Sequence, residues 1–252
     1  MQCAATALAL AGKAAIVTGA SRGIGAAIAR RLAADGAAVA ITYHASPEKA
    51  AGVVRAIEAA GGRAIAIQAD AGQPQAVRAA VAEAAAAFGK IDILVNNAGV
   101  GVLGAVDEIA FEDYQRVIDV NVTGVFVATQ EALRHMGQGG RIVHIGSSMV
   151  QYAGIATASA YTLSKGAISG FTRGLVRDLG PRGITVNTVH PGPTDSDMNP
   201  ADGPLAEFVK PGIALGRYGS GDDVAAAVAY LASAQAAFVT GAELLVDGGF
   251  TA

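Results

Sequence analysis

Ala14-Ala15-Ile16-Val17-Thr18-Gly19-Ala20-Ser21-Arg22-Gly23-Ile24-Gly25 decides the fold of this chain. The first four residues are apolar and end on two β-branched side chains, which predicts a short buried strand. The small residues that follow leave room for a tight turn, and the alanine-rich stretch beyond Gly25 has helical spacing. Backbone N–H groups at the start of such a helix attract an anion, so the turn reads as a pyrophosphate site. Its spacing is Gly-x3-Gly-x-Gly, and a glycine-rich turn alone can simply join a strand to a helix. Its place after the first strand favours the nucleotide.

Working outward, the same alternation of short β-branched runs and longer alanine-rich segments repeats along the chain. Strands are predicted at Ala14–Val17, Ala38–Ile41, Ala64–Ile67, Ile91–Val95, Arg141–Ile145, Ile184–Asn187 and Leu244–Val246. Alternation of this kind builds βαβ units, so the expected fold class is α/β, a Rossmann-like doubly wound domain with seven parallel strands flanked by helices. Pro47 and Pro74 mark first helical positions, and Gly36, Gly61 and Gly89 sit where left-handed helix ends belong. No internal repeat or low-complexity linker divides the chain, so residues 1–252 are expected to form one domain. Pro191 to Pro211, rich in proline, aspartate and glycine, is expected to be a substrate lid.

Composition excludes several function classes. The formal net charge is −3 and the cations are scattered, so neither nucleic acid nor an anionic membrane is an expected partner. Glycines and charges interrupt every apolar run before the roughly 20 residues needed to cross a bilayer. Met1 to Ala5 lacks the basic start of a signal peptide, and a cytoplasmic protein is expected. The single Cys3 has no partner for a disulfide and is given no role. No Glu-x-x-His or His-x-x-His pattern surrounds the four histidines, so no catalytic metal is expected. His144 and His190 read as structural, and Asp195, Asp197 and Asp202 as a solvated acidic loop.

The end of the second strand bears on the choice of dinucleotide. NAD-binding folds usually place a carboxylate there for the ribose hydroxyls, but this chain has Thr42-Tyr43-His44. With no carboxylate to repel a 2′-phosphate, and with Arg22 in the glycine-rich loop to attract one, NADP(H) is expected over NAD(H).

Tyr161 and Lys165 stand four residues apart in a helical segment, which puts both on one face. A free tyrosine has a pKa of about 10, and an adjacent ammonium stabilises its phenolate, so the pair can handle protons. Alone, Tyr-x3-Lys is a common surface pattern.

In company with the other motifs it is specific. From Lys13 onward the chain resembles the short-chain dehydrogenase/reductase family, on the strength of Thr18 to Gly25, Asn96-Asn97-Ala98-Gly99, Asn121-Val122-Thr123-Gly124, serines after the fifth strand, Tyr161-x3-Lys165 and Pro191-Gly192. That resemblance implies a ketoreductase, with Tyr161 protonating the carbonyl oxygen, Lys165 lowering its pKa and binding the nicotinamide ribose, and Asn121 holding a water that links Lys165 to solvent. It also implies a serine that hydrogen-bonds the carbonyl. Ser147 lies 14 residues before Tyr161 and Ser148 lies 13, the commoner separation. Ser147 is preferred because similar fungal naphthol-reductase-like sequences share its Gly-Ser setting and longer interval, with Ser148 held in reserve.

For the cofactor, the resemblance implies Gly19, Ser21, Arg22, Gly23, Ile24 and Gly25 at the phosphates, and Tyr43 beyond the second strand. Asp70 and Ala71 fall near adenine, Asn97, Ala98 and Gly99 along ribose and phosphate, and Pro191, Gly192 and Thr194 near the carboxamide. It implies a homotetramer as well. The substrate is a small-molecule ketone or alcohol, and a 3-oxoacyl carrier-protein reductase is one version of it. A nucleotide-binding sensor that kept the fold without turnover is the non-enzymatic alternative.

Overall fold

The computed structural model describes residues 8–252, so Cys3 lies outside the described residues. Seven strands, β1 (Ala14–Val17), β2 (Ala38–Tyr43), β3 (Arg63–Gln68), β4 (Ile93–Asn96), β5 (Arg141–Ile145), β6 (Thr185–Pro191) and β7 (Glu243–Val246), form one sheet. All pair in parallel, in the order β3-β2-β1-β4-β5-β6-β7. The helices are α1 (Gly23–Ala34), α2 (Pro47–Ala59), α3 (Pro74–Phe88), α4 (Phe111–Ile118), α5 (Gly124–His135), α6 (Ser159–Leu179), α7 (Ala206–Val209) and α8 (Gly221–Ala232).

The two-residue period of a strand sends alternate side chains to opposite faces, and both faces are covered. Ala15 and Val17 of β1 join a core with Ile28 and Leu32 of α1 and with Val224 and Val228 of α8. Ile16 between them joins the other core, with Leu94, Ile142, Val81 of α3 and Leu175 of α6. Every residue of β1 is buried, which is why it reads as a continuous apolar run.

Pro47 and Pro74 begin α2 and α3, and Gly36, Gly61 and Gly89 all have positive φ beyond helix ends. The sequence misplaces one strand. β6 was expected to stop at Asn187, yet it continues through Thr188, Val189 and His190 to Pro191. Its last three residues pair with Leu244, Leu245 and Val246 of β7. Buried Thr188 and His190 hid that extension, because polar side chains erase the apolar pattern on which strand recognition rests.

The sheet order reverses beside β1, which feeds β2 on one side and lies against β4 on the other, so the loops after β1 and β4 open a crevice at the carboxyl edge. Residues 191–211, expected as a lid, fold into turns and α7 around a small apolar cluster of Ala206, Ile213 and Tyr218, joined by Val209 and Phe250. Among the described residues no helix is long and apolar enough to cross a membrane.

Candidate active site

The glycine-rich turn is shaped by close approach. Gly19 has φ +63°, and a Cβ there would lie 2.8 Å from Ala98 Cα. A Cβ on Gly25 would collide with the Asn97 side chain and lie 2.9 Å from Gly19 O. Arg22 caps α1 in extended conformation without any side-chain hydrogen bond to the helix, so the N–H groups of the first turn keep their capacity for an anion. The residues therefore fit a dinucleotide pyrophosphate.

Asn97 and Ala98 bind the two loops of the crevice together. Their backbone N–H groups each donate to Thr18 Oγ1 at 3.0 Å. The Asn97 side-chain amide donates to Thr18 O at 2.8 Å and Gly19 O at 3.1 Å. Thr42 Oγ1, from β2, accepts from Gly19 N at 3.1 Å and fixes the turn from the other side.

Past the end of β3, Asp70 is gripped by Arg116 of α4 through two hydrogen bonds of 3.1 and 2.8 Å and accepts from Gly72 N at 2.9 Å. Burial pushes its pKa upward, but Arg116 and the Gly72 N–H outweigh it and hold the carboxyl below its ordinary value. His44 Nδ1 stands 3.7 Å from the same carboxylate. Arg116 was not singled out from the sequence, since no local pattern connects it to a residue 46 positions away. Ala71 lies against Gly124, where a Cβ would strike Ala71 O, which explains the glycine in Asn121-x-x-Gly124.

Tyr161, Lys165 and Ser147 meet where β5 ends beside α6. Lys165 Nζ is buried, donates to Ile145 O at 2.9 Å and lies 5.8 Å from the centre of the Tyr161 ring. Burial pushes its pKa down to about 8. Tyr161 departs from the expected lowering: burial raises its pKa, and the hydrogen-bonding side chain of Ser147 offsets that only in part. The reason is desolvation, which penalises a phenolate in an enclosed site. Ser147 Oγ also accepts from Met149 N at 3.2 Å. Ser148 begins a single 3₁₀ turn, and its carbonyl accepts from Gln151 N and Tyr152 N at 2.9 and 3.0 Å.

Asn121 occupies a π-helical turn, Asp119–Thr123, between α4 and α5. Such turns often mark functional positions. Its Oδ1 accepts from Val100 N at 2.9 Å, while Nδ2 donates to Val100 O at 2.9 Å and to Ser164 Oγ at 3.0 Å. Ser164 in turn donates to Tyr161 O at 2.7 Å. Both amide hydrogens are thus used, and one Oδ1 lone pair remains. Gly99 keeps this space open: a Cβ there would lie 3.3 Å from Lys165 Nζ and 3.5 Å from Asn121 Oδ1.

At the opposite rim Pro191 ends β6, Gly192 N donates to Val246 O at 3.0 Å, and buried Thr194 donates to Gly192 O at 3.0 Å. Thr157, just before α6, holds a φ of +68°, unusual for a β-branched residue, and its carbonyl accepts from Gly104 N at 2.8 Å.

The two buried histidines sit closer to this cluster than their sequence setting indicates. His190 Nδ1 lies 3.1 Å from Ser147 N and 3.0 Å from Ser147 O, directly against the backbone of that serine. His144 Nδ1 lies 3.1 Å from Asn96 Nδ2, and its ring stacks on Phe171 at 5.7 Å. Burial, aided by the Lys165 charge, pushes the His144 pKa from 6.5 down to about 3. The folded protein refuses a proton that the unfolded chain accepts. His144 therefore contributes its stability in full above pH 6.5 and loses it as the pH falls toward 3. The expected loss is about 1.4 kcal/mol per pH unit in that window. His144→Gln keeps an acceptor for Asn96 and should flatten the slope when urea midpoints are compared at pH 7 and pH 5. Equal slopes in the two proteins would remove His144 from the account.

A doubly wound parallel sheet, a glycine-rich turn at its switch point and a Tyr-Lys pair at the carboxyl edge together define an oxidoreductase of the dinucleotide-binding class. The chain belongs to the short-chain dehydrogenase/reductase family. Residues 19–251 match the family described as enoyl-(acyl carrier protein) reductase. An uncharacterized oxidoreductase of Methylorubrum extorquens is 46% identical over 244 residues, covering 95% of this chain and 98% of the relative. A cyclic-di-GMP-binding biofilm dispersal mediator protein of Escherichia coli is 43% identical over 241 residues, covering 96% and 98%. A short chain dehydrogenase from Burkholderia cenocepacia, solved in complex with NADP, is 55% identical with a TM-score of 0.95, covering 97% of this chain and all of that one.

Proposed function

We propose that the protein uses NADPH to reduce a ketone to a secondary alcohol, and catalyses the reverse oxidation when NADP⁺ and alcohol are in excess. The observation that carries this is the convergence of Tyr161, Lys165 and Ser147 at the end of β5, beside the crevice. Ser147 donates to the carbonyl oxygen and stabilises the alkoxide charge that develops there. Tyr161 gives its proton to that oxygen as general acid. Lys165, held by Ile145 O, supplies the positive charge that makes a tyrosinate tolerable, and Asn121 fixes the loop and helix on which the pair depends. Bound NADPH supplies the hydride. Gly19, Ser21, Arg22, Gly23, Ile24 and Gly25 take its phosphates. Tyr43, Asp70, Ala71, Asn97, Ala98 and Gly99 flank adenosine and ribose, and Pro191, Gly192 and Thr194 face the carboxamide. The absence of a carboxylate at the end of β2 and the NADP bound to the Burkholderia relative support this cofactor.

The rim favours an apolar substrate. Gly101 leaves space between Tyr161 and the lid, where a Cβ would meet Tyr161 Cδ2 at 3.8 Å and Met198 Sδ at 3.7 Å. Leu103, Tyr152, Met198 and Phe208 are exposed in the loops and lid that serve this mouth. Asp195 and Asp202 on the same lid oppose an acidic carrier protein, so a free ketone is preferred to a carrier-bound 3-oxoacyl group. Purified protein should consume NADPH, followed at 340 nm, when given aryl ketones, diketones or β-keto esters. Faster turnover of carrier-bound substrate would reverse the substrate preference. Tight cofactor binding without hydride transfer to any ketone would favour the sensor reading, to which the likeness to the cyclic-di-GMP-binding protein of Escherichia coli lends weight.

The assembly in this reading is a cytoplasmic homotetramer. Exposed Phe126 and Leu163 on α5 and α6, and Phe238 and Leu244 near β7, supply apolar area that a monomer would leave in water. Sedimentation at the mass of one chain would refute it.

A further inference from the structure

Asp197 is exposed, as its sequence setting suggests, but it is paired. Its Oδ2 lies 3.0 Å from Lys49 Nζ and 3.3 Å from Arg22 Nη1, so two cations from different elements converge on one oxygen. Arg22 stands at the end of the glycine-rich turn, and Lys49 lies in the first turn of α2. Both flank the end of β2, where Tyr43 and His44 replace the carboxylate of an NAD-binding chain. The neighbouring lid residue Ser196 rests on the same turn, with its Cβ 3.7 Å from the position a Gly23 Cβ would take. The Lys49 hydrogen bond and charge, helped by Arg22, hold the Asp197 carboxyl below its ordinary value.

We propose that Asp197 occupies the site of the cofactor's 2′-phosphate, that Lys49 is the second cation of that site, and that NADP(H) binds by displacing the lid carboxylate. This rests on the NADP(H) reading above and adds its selectivity mechanism. Arg22, Lys49 and Asp197 are each about half exposed, and exposed pairs of this kind hold weakly. A phosphate monoester brings up to two negative charges and three acceptor oxygens to the same cations, so it outcompetes one carboxylate. The 2′-hydroxyl of NAD(H) brings no charge and leaves Asp197 in place. Preference then comes from attraction of the phosphate by Arg22 and Lys49, and Asp197 trims it, because only the phosphorylated cofactor has to displace that internal anion. The exchange also releases the Ser196 turn from the glycine-rich loop, so the lid responds to the phosphorylated cofactor.

Calorimetric titration of the full chain with NADP⁺ and with NAD⁺ tests this in the wild type, Lys49→Ala and Asp197→Asn. Both changes are on the surface, and thermal melts establish that the variants fold. Lys49→Ala should weaken NADP⁺ about tenfold, the size of one lost charge-assisted contact, and move NAD⁺ less than about twofold. Asp197→Asn should tighten NADP⁺ about threefold, as removal of a weak competing ion pair allows, and leave NAD⁺ unchanged. The inference is overturned if Lys49→Ala affects both cofactors equally or neither. It is also overturned if Asp197→Asn weakens NADP⁺, since the carboxylate would then act as a latch over bound cofactor. A wild type that binds NAD⁺ as tightly as NADP⁺ sinks the cofactor reading itself. A wild type that prefers NADP⁺, with a preference neither variant moves, sinks only this inference.

Discussion

Tyr161→Phe is expected to lower kcat for ketone reduction by about 10²–10⁴, the range for loss of a positioned general acid, with the Kd for NADPH changed no more than a few-fold. The change removes one oxygen from a half-buried ring and keeps its packing. Lys165 stays anchored to Ile145 O and the glycine-rich turn is untouched, so fold and cofactor site both survive. What disappears is the phenol proton beside Ser147. Steady-state rates with NADPH and a responsive ketone, paired with direct cofactor titration, separate chemistry from binding. A variant that keeps a tenth or more of wild-type kcat would assign the proton transfer to another group and overturn the proposed mechanism. Equal loss of rate and of cofactor affinity would make Tyr161 a structural residue.

Ser147→Ala is expected to cost about 10²–10³ in kcat, the measured scale for removing one hydrogen-bond donor to a developing oxyanion. Ser148→Ala should cost less than about tenfold, the effect of disturbing a neighbouring turn without losing a contact to the carbonyl. The two serines are adjacent and both buried, so solvent exposure does not separate them. Their surroundings do. Ser147 faces Tyr161, whereas Ser148 starts the 3₁₀ turn and ties it down through its carbonyl. Alanine at 148 retains that carbonyl. If Ser148→Ala proves the more damaging of the two, the assignment passes to Ser148, and the nearness of Ser147 to the phenol is incidental.

The strands and the glycine-rich turn were legible in the sequence because they are local. Val17, Ile41 and Leu94 are buried on both faces of a parallel sheet and so leave continuous apolar runs, and Pro47 and Pro74 fix helix starts through their own ring geometry. The Tyr161–Lys165 pairing was legible for the same reason, since four residues of helix determine which face they share. The end of β6 was hidden by buried Thr188 and His190, whose partners come from β7 and α6.

The sequence by itself determined the doubly wound architecture, the place of the glycine-rich turn after its first strand, and the helical face that Tyr161 and Lys165 share. Periodicity and short-range spacing encode all three. Only the tertiary structure decided which serine faces Tyr161, that His190 supports the backbone of that serine, that Arg116 neutralises Asp70, and that Asp197 rests between Arg22 and Lys49. Each of these joins residues far apart in the chain through distances of a few ångströms. Such contacts follow from how the elements pack, and no local pattern of residues carries them.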